Sequence, residues 1–193
     1  LKMIEKKIKA YSKRTKTLTF TRGTLISFLL TGGIGIVSQN AVARDLRTRE
    51  ANNIVIQNEN GLNKGLSENG TDVINIVNPN SNGLSHNKYN EFNVGENNGV
   101  ILNNSKVDGN SVLGGKVTAN TNLTNNAKVI LNEVKGNNAS NLNGGIEVFG
   151  AKSDLIIANE NGINVNGANF INTGALNLST GRVNLEGGNL VLD

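Results

Sequence analysis

The residues able to do chemistry in this chain are few and far apart. His86 is the only histidine and cysteine is absent, so no second imidazole or thiolate can complete a metal site around it or orient it as a general base. His86 therefore reads as structural. Asp72, Asp108 and Asp154 are widely spaced, whereas cleavage of a glycosidic bond needs two carboxyl groups converging on one linkage. Gly114-Gly115, Gly144-Gly145 and Gly187-Gly188 lack the strand-to-helix setting in which a glycine loop cradles phosphate, so they read as corners. The mixture of Asn, Asp and Gly invites a calcium-binding coil, yet the Gly-Gly-x-Gly-x-Asp nonapeptide does not occur. We assign no catalytic residue, no cofactor and no metal from the sequence.

What the chain has in abundance is asparagine, roughly a quarter of the residues after Ala43. From Ile156 to Thr173, short β-formers alternate with Asn/Gly corners. Ile54–Ile56, Val73–Val77, Gly99–Leu102, Ala127–Leu131 and Asp154–Ile157 are further β-branched or leucine-rich runs bounded by turn formers. Ala175–Leu178, Arg182–Glu186 and Asn189–Leu192 continue the pattern. These runs argue against low-complexity disorder, and no stretch after Arg44 keeps the three-and-four apolar spacing of a helix. An all-β fold follows. Asparagine selects among the all-β folds: in a parallel β-helix each coil lies about 4.8 Å above the last, so equivalent corners stack and their amides bond along the row. A right-handed parallel β-helix with N-terminal capping strands is expected, with a β-sandwich as the alternative.

The segment from Asn78 to Val94 stands apart, with the only proline (Pro79), His86, Tyr89 and Phe92 close together. A period of two over Tyr89–Val94 would put Tyr89 on the face opposite Phe92. Such a strand suits a capping or side hairpin over the open N-terminal end of the solenoid.

The formal charge of +4 is unevenly placed. Eight basic residues (Lys2, Lys6, Lys7, Lys9, Lys13, Arg14, Lys16 and Arg22) face only Glu5 before Arg44, and the remainder is mildly acidic. The high pI thus belongs to the leader and does not point to nucleic acid as a partner. A basic stretch, an apolar run from Thr24 to Val37 and the triplet Ala41-Val42-Ala43 have the layout of a secretory signal, expected as a helix over residues 1–43 with cleavage between Ala43 and Arg44. Residues 44–193 form the second region. Without cysteine, that exported part must be stabilised by its backbone ladder and core.

From about Gly83 to Arg182 the chain resembles the secretion domain of two-partner secretion exoproteins, the family of filamentous haemagglutinin, large haemolysins and contact-dependent inhibition toxins. Gly83–Val94, Gly99–Asn104, Ile130–Val134, Asn141–Gly144 and Ile146–Gly150 carry the likeness in order. Asn120-Thr121-Asn122-Leu123 stands where that family has Asn-Pro-Asn-Leu, and Asn159-Glu160-Asn161-Gly162-Ile163 where it has Asn-Pro-Asn-Gly-Ile. Both prolines are replaced, but Thr121 and Glu160 can adopt the φ near −65° that proline fixes, so both turns are expected to form. Val165 and Ala168 occupy positions where some relatives carry a cysteine pair.

The resemblance implies a non-catalytic secretion module of a bacterial surface or secreted protein, adhesin or haemolysin in type. It would reach the periplasm of a Gram-negative-type bacterium, meet the POTRA domains of an outer-membrane TpsB-type β-barrel transporter, and emerge at the cell surface. Asn120, Asn122, Leu123, Asn159, Asn161, Gly162 and Ile163 would serve as recognition or corner residues. Host-cell or bacterial surface ligands would engage regions beyond Asp193, since the last strand leaves a coil edge that further coils would continue. A self-contained β-helical adhesin and a carbohydrate-active β-helix enzyme are the alternatives.

Overall fold

In the computed structural model, which describes residues 48–57 and 59–192, every regular element is a strand. The leader and its cleavage residues Ala41, Ala43 and Arg44 lie outside the described residues. The N-terminal part runs through β1 (Asn53–Ile56), β2 (Asn63–Leu66), β3 (Asp72–Asn75), β4 (Leu84–Asn93) and β5 (Gly99–Asn104). An excursion carrying β6 (Gly109–Ser111) and β7 (Gly115–Val117) follows. The coils resume with β8 (Val129–Val134), β9 (Ser140–Leu142), β10 (Gly145–Gly150), β11 (Ser153–Asn159), β12 (Ile163–Val165), β13 (Asn169–Ile171) and β14 (Thr173–Ser179). Last come β15 (Val183–Glu186) and β16 (Asn189–Leu192).

Three walls result. The first has the order β1-β4-β8-β11-β14 and the second β13-β10-β5-β3-β2. The third is the parallel pair β9 and β12, extended by a parallel bridge from Val94 to Leu142. Neighbours from β4 to β14 and from β3 to β13 are parallel, so the chain visits one wall after another and returns one layer further on. This is the expected parallel β-helix. The caps are β1, antiparallel on β4, and β2, antiparallel on β3.

Strand alternation explains the core. Ile130 and Leu155 from the first wall, Ile74, Leu102 and Ile146 from the second and Leu142 from the third are fully buried inside the coil. Each such side chain contributes about 1.5–3 kcal/mol of burial. Two antiparallel hairpins cover apolar residues on the outer faces. β6–β7 packs Val117 and Leu113 over Val73, Ile101 and Phe149 of the second wall. β15–β16 packs Val183 and Leu190 over Leu84, Leu131 and Ala158 of the first.

Two expectations for residues 78–94 are corrected. The segment is no side hairpin: β4 is a full wall strand, parallel to β8 along Leu84–Tyr89. Tyr89 and Phe92 do not face opposite ways; both are fully buried in the same core, with ring centroids 4.9 Å apart and planes at 68°. The cause is a bulge. Glu91 pairs with Val55 and Tyr89 with Ile56, so Asn90 is an extra residue in β4, and one extra residue reverses the alternation beyond it.

Candidate functional site

Asparagine side chains follow the strand register. Asn63, Asn75 and Asn103 are aligned across β2, β3 and β5. Asn75 Nδ2 donates to Asn63 Oδ1 and Asn103 Nδ2 to Asn75 Oδ1, each at 2.8 Å. On the third wall, Asn164 Nδ2 donates to Asn141 Oδ1 at 3.1 Å, and Asn141 Nδ2 to Asn93 Oδ1 at 3.4 Å. Stacked-amide rows are therefore present, but they run across the strands and not at the corners where composition placed them.

The two sequence motifs build the same corner twice. At the first, Asn120 Oδ1 accepts the Asn122 N–H at 3.0 Å, and the Asn120 carbonyl accepts the Leu123 N–H at 3.2 Å. At the second, Asn159 Oδ1 accepts the Asn161 N–H at 2.9 Å, and the Asn159 carbonyl accepts the Gly162 N–H at 3.0 Å. Each is an Asx turn nested in a β-turn, closed without proline because the asparagine oxygen holds the backbone. Gly162 has φ +111°, a value that excludes most side chains. Thr121 and Glu160 are exposed at the tips.

The first asparagine of each pair is a keystone. Asn120 is 2 % exposed and Asn159 1 % exposed. Asn120 Nδ2 donates to the carbonyls of Ile76 and Asn103, and its N–H to the Ser105 carbonyl, closing the base of the excursion that carries β6–β7. Asn159 Nδ2 donates to the Asn138 carbonyl and to Ser140 Oγ. The second asparagines lie further out: Asn122 Nδ2 reaches the Gly61 carbonyl and Asn161 Nδ2 the Gly136 carbonyl. Leu123 is buried with the core, and Ile163 packs against it half-buried. The two corners bond to different segments, the first to Ile76 and Gly61 and the second to Asn138 and Gly136.

A third copy of the corner escaped the sequence reading. Asn80 Oδ1 accepts the Asn82 N–H at 2.9 Å and the Leu84 N–H at 3.1 Å, while its carbonyl accepts the Gly83 N–H at 2.9 Å. Asn80-Ser81-Asn82-Gly83-Leu84 reads almost like Asn159-Glu160-Asn161-Gly162-Ile163, and aligning the chain with itself would have found it.

The acidic groups are occupied one by one. Asp72 Oδ2 accepts from Asn52 Nδ2, Asp108 Oδ1 from the Ala119 N–H and Asp154 Oδ1 from the Ala175 N–H. Glu147, 3 % exposed, takes the Val112 and Leu113 N–H groups at 2.9 and 2.8 Å and fixes the tip of the β6–β7 hairpin. Glu133 lies 2.6 Å from His86 Nε2 and 3.0 Å from Lys135 Nζ. Burial pushes the Glu133 carboxyl up, but the hydrogen bonds and charges of His86 and Lys135 outweigh it and hold the group below the ordinary carboxylate value. Burial alone pushes the Tyr89 hydroxyl far up. An open groove of about 400 Å³ runs past Glu50, Asn53, Glu91, Asn93, Asn138 and Asn141. Both oxygens of Glu91 there accept amide hydrogens, from Asn138 and Asn93.

Known proteins resemble this chain in sequence and in fold. The chain aligns with filamentous hemagglutinin of Bordetella pertussis at 51 % identity over 121 residues, covering 63 % of the chain and 3 % of that protein. It aligns with a hemolysin of Serratia marcescens at 46 % identity over 130 residues, covering 67 % of the chain and 8 % of the hemolysin. A third relative, the 16S rRNA endonuclease CdiA of Enterobacter cloacae, is 49 % identical over 121 residues, or 61 % of the chain and 4 % of that protein. The chain thus spans less than a tenth of the length of these relatives. The crystal structure of the filamentous hemagglutinin secretion domain superposes with a TM-score of 0.67 at 45 % identity, covering 72 % of this chain and 46 % of that one. The profile of the TPS secretion domain matches residues 53–192. With the β-helix, its caps and both asparagine corners inside that span, the chain belongs to the TPS secretion-domain family.

Proposed function

We propose that residues 44–193 are the export label of a longer surface or secreted protein, read in the periplasm of a Gram-negative bacterium by the POTRA domains of a TpsB-type transporter. The signal at residues 1–43, cut before Arg44, delivers the chain to that compartment. The domain does no chemistry of its own; any toxin or adhesive activity resides in other parts of the protein, as the varied names of the relatives suggest.

The observation that carries the reading is the burial of Asn120 and Asn159, with both side-chain amides committed to carbonyls of the preceding coil. A transporter that contacts these side chains must meet them before the corners close, so recognition falls on the extended chain. Coils that form outside then add burial and ladder hydrogen bonds on the far side of the membrane, which favours passage in one direction.

Export is measured with Asn161→Ala, a change at the outer, exposed member of the second corner. A variant that keeps its thermal stability and is no longer secreted supports recognition at this motif. One that loses both assigns the motif to folding alone, and one that is exported normally removes Asn161 from the recognition set. Sequencing the N-terminus of the secreted protein tests the cut before Arg44.

A further inference from the structure

The third corner differs from the other two in where its amides go. Asn80 and Asn82 are exposed, and their side-chain amides donate to the β15–β16 hairpin. Asn80 Nδ2 donates to the Gly188 carbonyl at 3.0 Å, and Asn82 Nδ2 to the Gly187 carbonyl at 3.4 Å and Asn189 Oδ1 at 3.2 Å. The residues joined lie 105 to 108 positions apart. The acceptors form the turn of the β15–β16 hairpin, where Gly187 and Gly188 both have positive φ and a Cβ on Gly188 would stand 3.2 Å from each amide nitrogen.

The hairpin itself is a separate sheet: β15 pairs with β16 and with no coil strand. An isolated two-stranded hairpin has little stability in water. Among the contacts that hold this one in place are the amide pair at its turn, the Arg182–Glu160 ion pair at its base, and the shelf made by Leu84, Leu131 and Ala158, on which Val183 and Leu190 rest. The dependence runs both ways. Leu131 is fully buried and Leu84 is 7 % exposed under this cover, and an uncovered shelf would be an apolar strip across β4, β8 and β11.

We propose that β15–β16 is a detachable strap and that the Asn80/Asn82 corner with the Leu84–Leu131–Ala158 shelf is its docking site. The shelf exists only once β4, β8 and β11 are side by side, so the strap docks last and loosens first. Its release opens the outer wall without breaking a single rung of the coil ladder.

The test is native-state hydrogen exchange on the purified chain, comparing the parent with Asn80→Asp/Asn82→Asp. Aspartate keeps the oxygen that closes the Asx turn and removes the donors to the hairpin, placing carboxylates against its carbonyls. Protection of amides 183–192 should fall on the order of tenfold or more, as expected for loss of several hydrogen bonds, while β8 and β11 keep theirs. Binding of an apolar dye should rise. Leu190→Ser, which weakens the same contact from the hairpin side, should reproduce both effects. Unchanged protection of 183–192 in both variants overturns the proposal. So does an equal loss across β8 and β11, because strap and coils would then be one cooperative unit.

Discussion

Tyr89 and Phe92 meet edge to face in the core although three positions apart in one strand, because the bulge at Asn90 turns Phe92 back inward. The Tyr89 hydroxyl donates to Asn132 Oδ1 at 3.2 Å, while Asn132 Nδ2 is buried without a hydrogen-bond partner. Tyr89→Phe leaves that amide with neither bond. The expected cost is about 1–3 kcal/mol, read as a lower urea midpoint at unchanged slope. Phe92→Ala should cost more, about 3–5 kcal/mol, since it empties a ring's volume next to Tyr89.

The bulge also explains a glycine. A Cβ on Gly136 would collide with the Asn90 carbonyl, and the Gly136 carbonyl receives the Asn161 amide. Gly136→Ala should therefore destabilise by about 1–3 kcal/mol through overpacking and shift the Asn161 side-chain amide resonances. A neutral effect on melting would show that the two backbones can part at no cost.

Within one motif the two asparagines should separate. Asn159→Ala removes the turn acceptor and two buried donated bonds, for a loss on the order of 2 kcal/mol or more. Asn161→Ala removes an exposed side chain and should cost less than about 1 kcal/mol. Parallel thermal melts check the ranking, and equal losses would contradict the keystone role of Asn159.

Acid sensitivity has an identified contributor in Glu133. Its folded pKa is depressed, so its contribution is present above the unfolded value of about 4.3 and is lost as pH falls through the folded value. Lys135→Ala removes one of the groups that lower this pKa. The variant should be less stable than the parent at neutral pH, with the gap narrowing below about pH 4. A gap that stays constant into acid would remove Lys135 from this role.

Much of the fold was legible because asparagine and β-branched residues carry two separate signals, corners and strands. Val73–Val77, Gly99–Leu102 and Asp154–Ile157 all contribute wall strands, and the Asx turns at Asn120 and Asn159 form without proline. Alternation failed at Asn90, since an inserted residue leaves the composition of a strand unchanged and shows itself only against the partner β1. N-terminal capping strands are present as β1 and β2, and only the placing of residues 78–94 among them failed, for a related reason. A period of two sets Tyr89 and Phe92 on opposite faces, as a side hairpin would, until the bulge at Asn90 turns Phe92 to the same side as Tyr89. Nor does local sequence reveal that Val183–Leu192 turns back on the outer wall, because its docking partners Asn80 and Asn82 lie more than a hundred residues earlier.

The rows Asn63–Asn75–Asn103 and Asn93–Asn141–Asn164 tie one layer to the next with neutral groups. Dissolved ions weaken attraction between charges and have little purchase on amide pairs. Cohesion of this kind is nearly indifferent to the saltiness of the surrounding fluid, so the layers should hold together alike in dilute and in salty media.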